Sequence, residues 1–211
     1  MKMELEHVLP DQIERRSFEI IERELNRPLD PALAPIIKRV IHTTADFEYA
    51  DSLFFSEGAV LRALDALKNG APVVTDTSMV KAGINKPALE RLGGAVHCYI
   101  ADADVAAAAK ANGTTRSAAA MEKAARLFAQ PIFAIGNAPT ALIQLKELIE
   151  EKRVQPALIV AVPVGFVNVI QSKELIMETG VPCIVARGRK GGSNVAAAIV
   201  NALIYLLTRD A

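Results

Sequence analysis

The sequence has no tryptophan, only 5% aromatic residues, two cysteines, and no excess charge of either sign, since 24 basic side chains stand against 24 acidic ones. Each scarcity excludes something. A balanced charge without a basic run cannot displace counterions from a polyanion or settle on anionic lipid, so a nucleic-acid coat and a polybasic membrane anchor are excluded. Cys98 and Cys183 sit in apolar, strand-like runs without the paired spacing of a zinc site, and read as buried thiols in a reducing cytoplasm. His7, His42 and His97 lie far apart with no partner at ligand spacing, so no metal centre is expected. The start, Met1-Lys2-Met3-Glu4-Leu5-Glu6, is acidic and lacks the apolar run of a signal peptide. The longest apolar stretch, 156–170, is interrupted by Pro163, Gly165 and Asn168 and is too short for a bilayer span. A cytoplasmic protein with neither nucleic-acid nor membrane partner is expected.

What the chain does have is aliphatic mass. Hydrophobic residues make up 51% of its 211 positions, mostly Ala, Val, Ile and Leu, the mixture that fills α/β cores. A chain of this size buries roughly 70% of its unfolded surface, enough for one core without disulfide or metal staples, so residues 1–211 read as a single domain. Residues 11–25 place Ile13, Ile20, Ile21 and Leu25 on one helical stripe, with Ser17 among them. A second helix is expected to open with Asp30 as N-cap and Pro31 in its first turn, run through Ile36, Ile37, Val40 and Ile41, and give way to extended chain at His42-Thr43-Thr44. Ser56 is expected to cap a third helix that Gly70 stops. Downstream come five short apolar runs, 73–75, 96–100, 132–135, 157–162 and 183–186, separated by helical segments such as 140–151 and 194–207. The expected fold class is α/β: a three-layer, doubly wound, mostly parallel five-stranded sheet of flavodoxin-like type, with an α-helical N-terminal segment. Gly113-Thr114-Thr115 reads as a break between two helices, not a domain boundary.

In an open parallel sheet, ligands sit outside the carboxyl ends of the strands. Here those exits are polar: Asp76-Thr77-Ser78, Asp102 with Asp104, Gly136-Asn137-Ala138-Pro139-Thr140, and Pro163-Val164-Gly165-Phe166-Val167-Asn168. The fifth, Arg187-Gly188-Arg189-Lys190-Gly191-Gly192-Ser193-Asn194, sets three cations and three glycines before a helix N-terminus. It reads either as a site for phosphate or carboxylate or as a solvated Gly-rich turn, and it has neither the P-loop nor the dinucleotide glycine spacing. Asp102 and Asp104 read as helix caps. His42, at a helix end whose dipole favours imidazolium, reads as a general acid or base or as a hydrogen-bonded helix-end residue. Ser17 either bonds the carbonyl four residues back or faces a cleft with Arg15 or Arg16, and it is not in a nucleophile elbow.

Seven segments together resemble the precorrin-8X methylmutase family, also called cobalt-precorrin-8 methylmutases. They are Arg16-Ser17-Phe18-Glu19-Ile20-Ile21, Val40-Ile41-His42-Thr43-Thr44-Ala45-Asp46, Asp76-Thr77-Ser78-Met79-Val80, Thr115-Arg116-Ser117, Ile135-Gly136-Asn137-Ala138-Pro139-Thr140, Pro163-Val164-Gly165-Phe166-Val167 and Gly188-Arg189-Lys190-Gly191-Gly192-Ser193-Asn194, in the family's order over nearly the whole chain. Gln171 stands where the family pattern has glutamate before Ser172-Lys173-Glu174, a departure that bears on a local charge contact. The resemblance implies an isomerase without cofactor or metal. Such an enzyme moves a methyl group from C11 to C12 of a corrinoid macrocycle, converting precorrin-8 or cobalt-precorrin-8 into hydrogenobyrinate or cobyrinate, and holds the product tightly. It also implies a homodimer with the macrocycle near the subunit interface, a catalytic His42, and Ser17 as a substrate contact. For that substrate, an imidazolium at His42 suits protonation of a ring nitrogen near the migration terminus. Arg15, Arg16, Arg116, Arg189 and Lys190, with the amides of Gly191 and Gly192, suit the acetate and propionate arms. Thr43, Thr44, Ser78, Asn137 and Thr140 would add neutral hydrogen bonds, and Val164 with Phe166 would meet the macrocycle face. Two other readings stay open at this point: a corrinoid carrier without catalysis, and a flavodoxin-like nucleotide-binding domain suggested by the fifth exit.

Overall fold

A computed structural model describes residues 6–209, and the opening residues 1–5 lie outside them. After a single 3-10 turn, α1 (Ile13–Leu25) and α2 (Ala34–Thr44) form the helical N-terminal segment, followed by the one-turn α3 (Tyr49–Ser52) and β1 (Leu53–Phe55). Then come α4 (Ala59–Lys68), β2 (Val73–Thr75), α5 (Ser78–Gly83), α6 (Lys86–Glu90), β3 (Val96–His97), α7 (Ala103–Ala111) and α8 (Arg116–Leu127). The chain closes with β4 (Ile132–Ile135), α9 (Pro139–Glu150), β5 (Leu158–Ala161), α10 (Val169–Glu178), β6 (Cys183–Ala186) and α11 (Ser193–Thr208).

One sheet of six strands, in the order β1-β6-β5-β4-β2-β3, runs through the molecule. Its five expected strands pair in parallel. They are apolar on both faces because both faces are covered. Ile132, Ala134, Leu158, Val160 and Ile184 point into a core closed by α1, α2, α4, α5, α6 and α11. Phe133, Ile135, Ile159, Ala161 and Val185 point the other way, into a core closed by α7, α8, α9 and α10. Residues one apart along a strand thus serve opposite cores, which is why each run reads as continuously hydrophobic and not as alternating.

The expectation of five strands is corrected to six among the described residues. β1 pairs antiparallel with β6, Leu53 opposite Ala186 and Phe55 opposite Ile184. Three residues carry too little periodicity to announce a strand. Ser56 does not cap α4; its hydroxyl accepts the Cys183 N–H at 2.9 Å and so closes the β1–β6 pairing, while Gly58, at φ 69°, supplies the left-handed turn into α4. Asp30 likewise caps no helix directly. Its carboxylate accepts the Ala32 N–H at 2.8 Å in a local turn, and α2 starts later, at Ala34. Nor does the chain become extended at His42-Thr43-Thr44, which close α2. The Thr43 and Thr44 hydroxyls donate back to the carbonyls of Arg39 (2.9 Å) and Val40 (2.8 Å), the bonds by which a helix accommodates these side chains. The break at Gly113-Thr114-Thr115 is observed, with Thr115 accepting the Ala118 N–H to cap α8.

The N-terminal helices are fastened to the end of α11 through Glu14. Its carboxylate accepts from both Arg39 Nη atoms at 2.8 and 2.7 Å and from Arg209 at 2.6 Å. The Arg39 bonds, with both arginine charges, hold the Glu14 carboxyl at about 2 against a usual value of 4.5. A depressed carboxyl contributes stability above its unfolded value and loses it as pH falls toward the folded one. Glu14→Gln is therefore expected to cost about 1 kcal/mol at pH 7, a figure set by the partial exposure of the pair. In thermal melts followed by circular dichroism, the gap between the two proteins should narrow between pH 4.5 and pH 2. A gap that persists at pH 2 would show that the ion pair is not its source.

Candidate active site

β2 and β4 run side by side, Thr75 opposite Ala134, so the residues that follow them meet. Asp76 is fully buried there, and its Oδ1 accepts the Gly136 N–H at 3.0 Å while Oδ2 accepts those of Asn137 (2.8 Å) and Ala138 (2.7 Å). Burial pushes the Asp76 carboxyl up from its ordinary value, and the three amide bonds work against that rise by favouring the carboxylate. These amides lead into α9, and the gap between β2 and β4 is where the strand order reverses, the usual place for an anionic ligand in such a sheet. The chain's own carboxylate has taken their donors, so a nucleotide phosphate would find none of the three free.

The other exits converge on the start of α11. The hydroxyls of Thr77 and Ser193 lie 3.2 Å apart, and Gly192 donates its N–H to the Val162 carbonyl at 2.9 Å. A Cβ on Gly136 would come within 2.7 Å of Ser193 Cα, and one on Gly191 within 2.1 Å of the Val162 oxygen, so only glycine permits this approach. Beneath the β6 exit, the fully buried Lys173 donates from Nζ to the carbonyls of Gly188 (2.8 Å) and Lys190 (2.9 Å). Burial pushes its amine down to about 8. Above, the Arg189 guanidinium lies 5.6 Å from the centre of the Phe166 ring. Phe166 and Val167 are 84% and 79% exposed, an apolar surface at the mouth of the exits.

The chain just after α2 is joined to this edge by an ion pair. Lys190 Nζ donates to Asp46 Oδ2 at 2.6 Å and lies 2.7 Å from Glu48 Oε2, tying the end of α2 to the β6 exit. Between them Ala45 holds the left-handed conformation, φ 54°, and gives its N–H to Ile41. The His42 ring is exposed and stands edge-on to Phe18, 5.7 Å between centroids. Among the described residues, no group hydrogen-bonds its ring nitrogens.

Of the residues singled out from the sequence, Ser78, Asn137, Thr140, Arg116, Arg189, Lys190, Gly191 and Gly192 lie at the exits. Arg116 begins α8, and the preceding Thr115 donates to Thr140 at 2.8 Å. His42, Thr43 and Thr44 are brought toward them by the Asp46–Lys190 pair. The Lys190 ammonium and the Gly192 amide are committed inside the protein. Arg15 and Arg16 are paired with Glu19 and Glu6 at 3.2 and 2.6 Å, in a depression of about 220 Å³ shared with His7 and Gln12. Ser17 donates to the Ile13 carbonyl at 2.8 Å, the first of its two readings. Asp102 and Asp104 are not side-chain caps; both accept from Lys123, at 2.7 and 2.8 Å. The clamp made by Asp76 and the buried Lys173 were not foreseen. Lys173 had left a signal, since it follows Val169 by four and precedes Ile176 by three, a lysine on an apolar stripe. A cavity of about 790 Å³ opens at the opposite edge of the sheet, beside Pro72, Gln130, Gln155 and Pro182, away from the exits. Among the described residues, no three His, Cys, Asp or Glu side chains are grouped to hold a metal ion, and no helix is long and apolar enough to cross a membrane.

The chain is similar to known proteins over nearly its whole length. The family model described as "Precorrin-8X methylmutase" matches residues 12–206. A cobalt-precorrin-8 methylmutase of Salmonella typhimurium is 48% identical over 205 residues, covering 94% of this chain and 96% of that one. A precorrin-8X methylmutase of Pseudomonas aeruginosa is 41% identical over 194 residues, covering 90% and 93%. Among solved structures, the precorrin-8x methyl mutase of Thermus thermophilus superposes with a TM-score of 0.85 at 40% identity, over 92% of this chain and 96% of that one.

The clamp is open to test by Asp76→Asn. An amide offers one oxygen and a competing donor where three N–H groups converge, so a loss of about 3 kcal/mol is expected in urea denaturation. A loss below about 0.5 kcal/mol would mean that the exits do not rely on this carboxylate.

Proposed function

The chain belongs to the precorrin-8X methylmutase family and is an isomerase of cobalamin biosynthesis; from that premise we propose that it moves the C11 methyl of precorrin-8 or cobalt-precorrin-8 to C12, with His42 as the proton donor. The observation that carries the residue assignment is His42 itself, an exposed imidazole with unengaged nitrogens at a helix C-terminus, tied through Asp46 and Lys190 to the strand exits.

The rearrangement is intramolecular. The bond from C11 to the methyl group breaks as the bond to C12 forms, and no group enters or leaves the macrocycle. Protonation of a ring nitrogen near C12 makes the conjugated system a better acceptor for the migrating methyl, and His42 lends that proton and takes it back once the methyl has moved, so the macrocycle gains and loses nothing. Arg116 and Arg189 suit the carboxylate arms at the rim, and Asn137, Thr140 and Ser78 the remaining polar edges. The Ser17 hydroxyl, its proton given to Ile13, retains lone pairs for a substrate donor. Val164 and Phe166 suit the apolar face of the macrocycle. In this reading Lys190 acts by joining α2 to the β6 exit, and Arg15 and Arg16, paired on the surface with Glu19 and Glu6, would exchange those partners for carboxylate arms.

The parallel strands, in the order β3-β2-β4-β5-β6, support a flavodoxin-like winding, although the Asp76 clamp disfavours a nucleotide at its switch point. We read the chain as one cytoplasmic domain that pairs as a homodimer. The exposed Phe166, Val167 and Met79 around the exits support a second copy closing over the macrocycle, which would also retain the product.

The test is to incubate the protein with precorrin-8 and, separately, cobalt-precorrin-8, and to follow the visible spectrum; the substrate that turns over faster identifies the natural one. His42→Ala should lower kcat by about a hundredfold or more while leaving the affinity for product within about threefold. Full activity in that variant would sink the assignment, and binding without turnover by the unaltered protein would make it a carrier.

A further inference from the structure

Lys173 is among the largest fully buried side chains, and no carboxylate among the described residues is paired with it. An ammonium buried without a counter-ion is unfavourable, and an apolar side chain between Val169 and Ile176 would suit the core better. The amine therefore serves something other than stability, and its hydrogen bonds show what. All three carbonyls of residues 188–190 are engaged: those of Gly188 and Lys190 by Lys173 Nζ at 2.8 and 2.9 Å, and that of Arg189 by the Gly165 N–H at 3.2 Å.

In a planar trans peptide the C=O and N–H point in opposite directions, and no cis bond occurs among the described residues. Drawing the Gly188 carbonyl inward turns the Arg189 N–H outward, and drawing in the Lys190 carbonyl does the same for the Gly191 N–H. Gly188 and Gly191, at φ 74° and 154°, supply the backbone freedom for this arrangement. Neither of the two outward amides donates to any group among the described residues. The two outward N–H groups, on either side of Lys190, leave a pair of backbone donors free for an anionic oxygen.

We propose that Lys173 is a positioning residue: by holding the Gly188 and Lys190 carbonyls inward, it presents the Arg189 and Gly191 amides, below the Arg189 guanidinium, to one carboxylate arm of the macrocycle. This rests on the reading of the exits as the corrinoid site. Lys173 touches no substrate in this arrangement and acts only through the loop.

The experiment compares the unaltered protein with Lys173→Met and Lys173→Arg in two measurements. The first is hydrogen exchange of the unliganded protein, which needs no activity. The Gly165 and Gly192 amides, which close the loop, should exchange about tenfold faster in Lys173→Met while the amides of β4 and β5 stay unchanged. The second is turnover. KM should rise about tenfold with kcat within about twofold, and Lys173→Arg, which keeps a buried donor cation, should restore KM to within about threefold. If Lys173→Met does not fold, Lys173→Gln, whose amide can serve one carbonyl, should show a smaller rise in both. Unchanged loop exchange with unchanged KM would overturn the proposal, as would faster exchange spread evenly over β4 and β5. Failure of the unaltered protein to turn over either substrate would defeat the functional reading, and the exchange comparison would still decide the role of Lys173.

Discussion

A single carboxylate, that of Asp76, settles how the exits of this sheet are arranged. It sits where two neighbouring parallel strands end, takes the amides of three consecutive residues, and in doing so fixes the approach to α9 against the exit of β2. The neighbouring contacts lean on that placement. Gly136 can abut the first residue of α11 only if its loop is held down, and Thr77 meets Ser193 from the adjoining side. An internal anion where a doubly wound sheet commonly receives an external one also explains how this architecture parts from nucleotide binding: the donors are present, and the chain has used them.

With that gap filled, the unoccupied donors lie toward β5 and β6, where free amides, an arginine and exposed apolar side chains stand together. The end of α2 is brought to the same region by Lys190, which bridges Asp46 and Glu48. The zero net charge of the chain thus hides a local order. Lys190, Arg15, Arg16 and Lys123 each have acidic partners, whereas Arg116 and Arg189 stand at the exits with no ion pair among the described residues. Lys190 and Lys123 use their charge to join segments far apart in the chain, while Arg116 and Arg189 do not.

The parts of this molecule that could be read from the sequence are those governed by local rules. The five parallel strands were legible because a strand buried on both faces is an unbroken apolar run, and α9 and α11 because their apolar stripes persist over three turns or more. β1 was not, since its identity comes from β6 and from Ser56, not from its own three residues. The two ends of α2 were misplaced for a related reason: Asp30 and the two threonines use short side chains that suit several local structures, and the packing of the helix chose among them. His42 stood out by its place at a helix end. Asp76 and Lys173 make contacts between segments far apart in the chain, and no spacing rule reports those. The ion pairs of Arg15 with Glu19 and of Arg16 with Glu6 are likewise choices of packing that the run of cations does not announce.

The two outermost strands of the sheet have three and two residues, far fewer backbone groups than a strand of ordinary length would leave unpaired. A sheet with such short margins offers little template for another strand to zip onto it. For any contact with another chain, growth of the sheet across it is a poor route, and side chains carried by loops and helices would have to make the match. The same brevity guards the chain against running on into fibrous aggregates, a hazard for any fold whose centre is a stack of aliphatic strands.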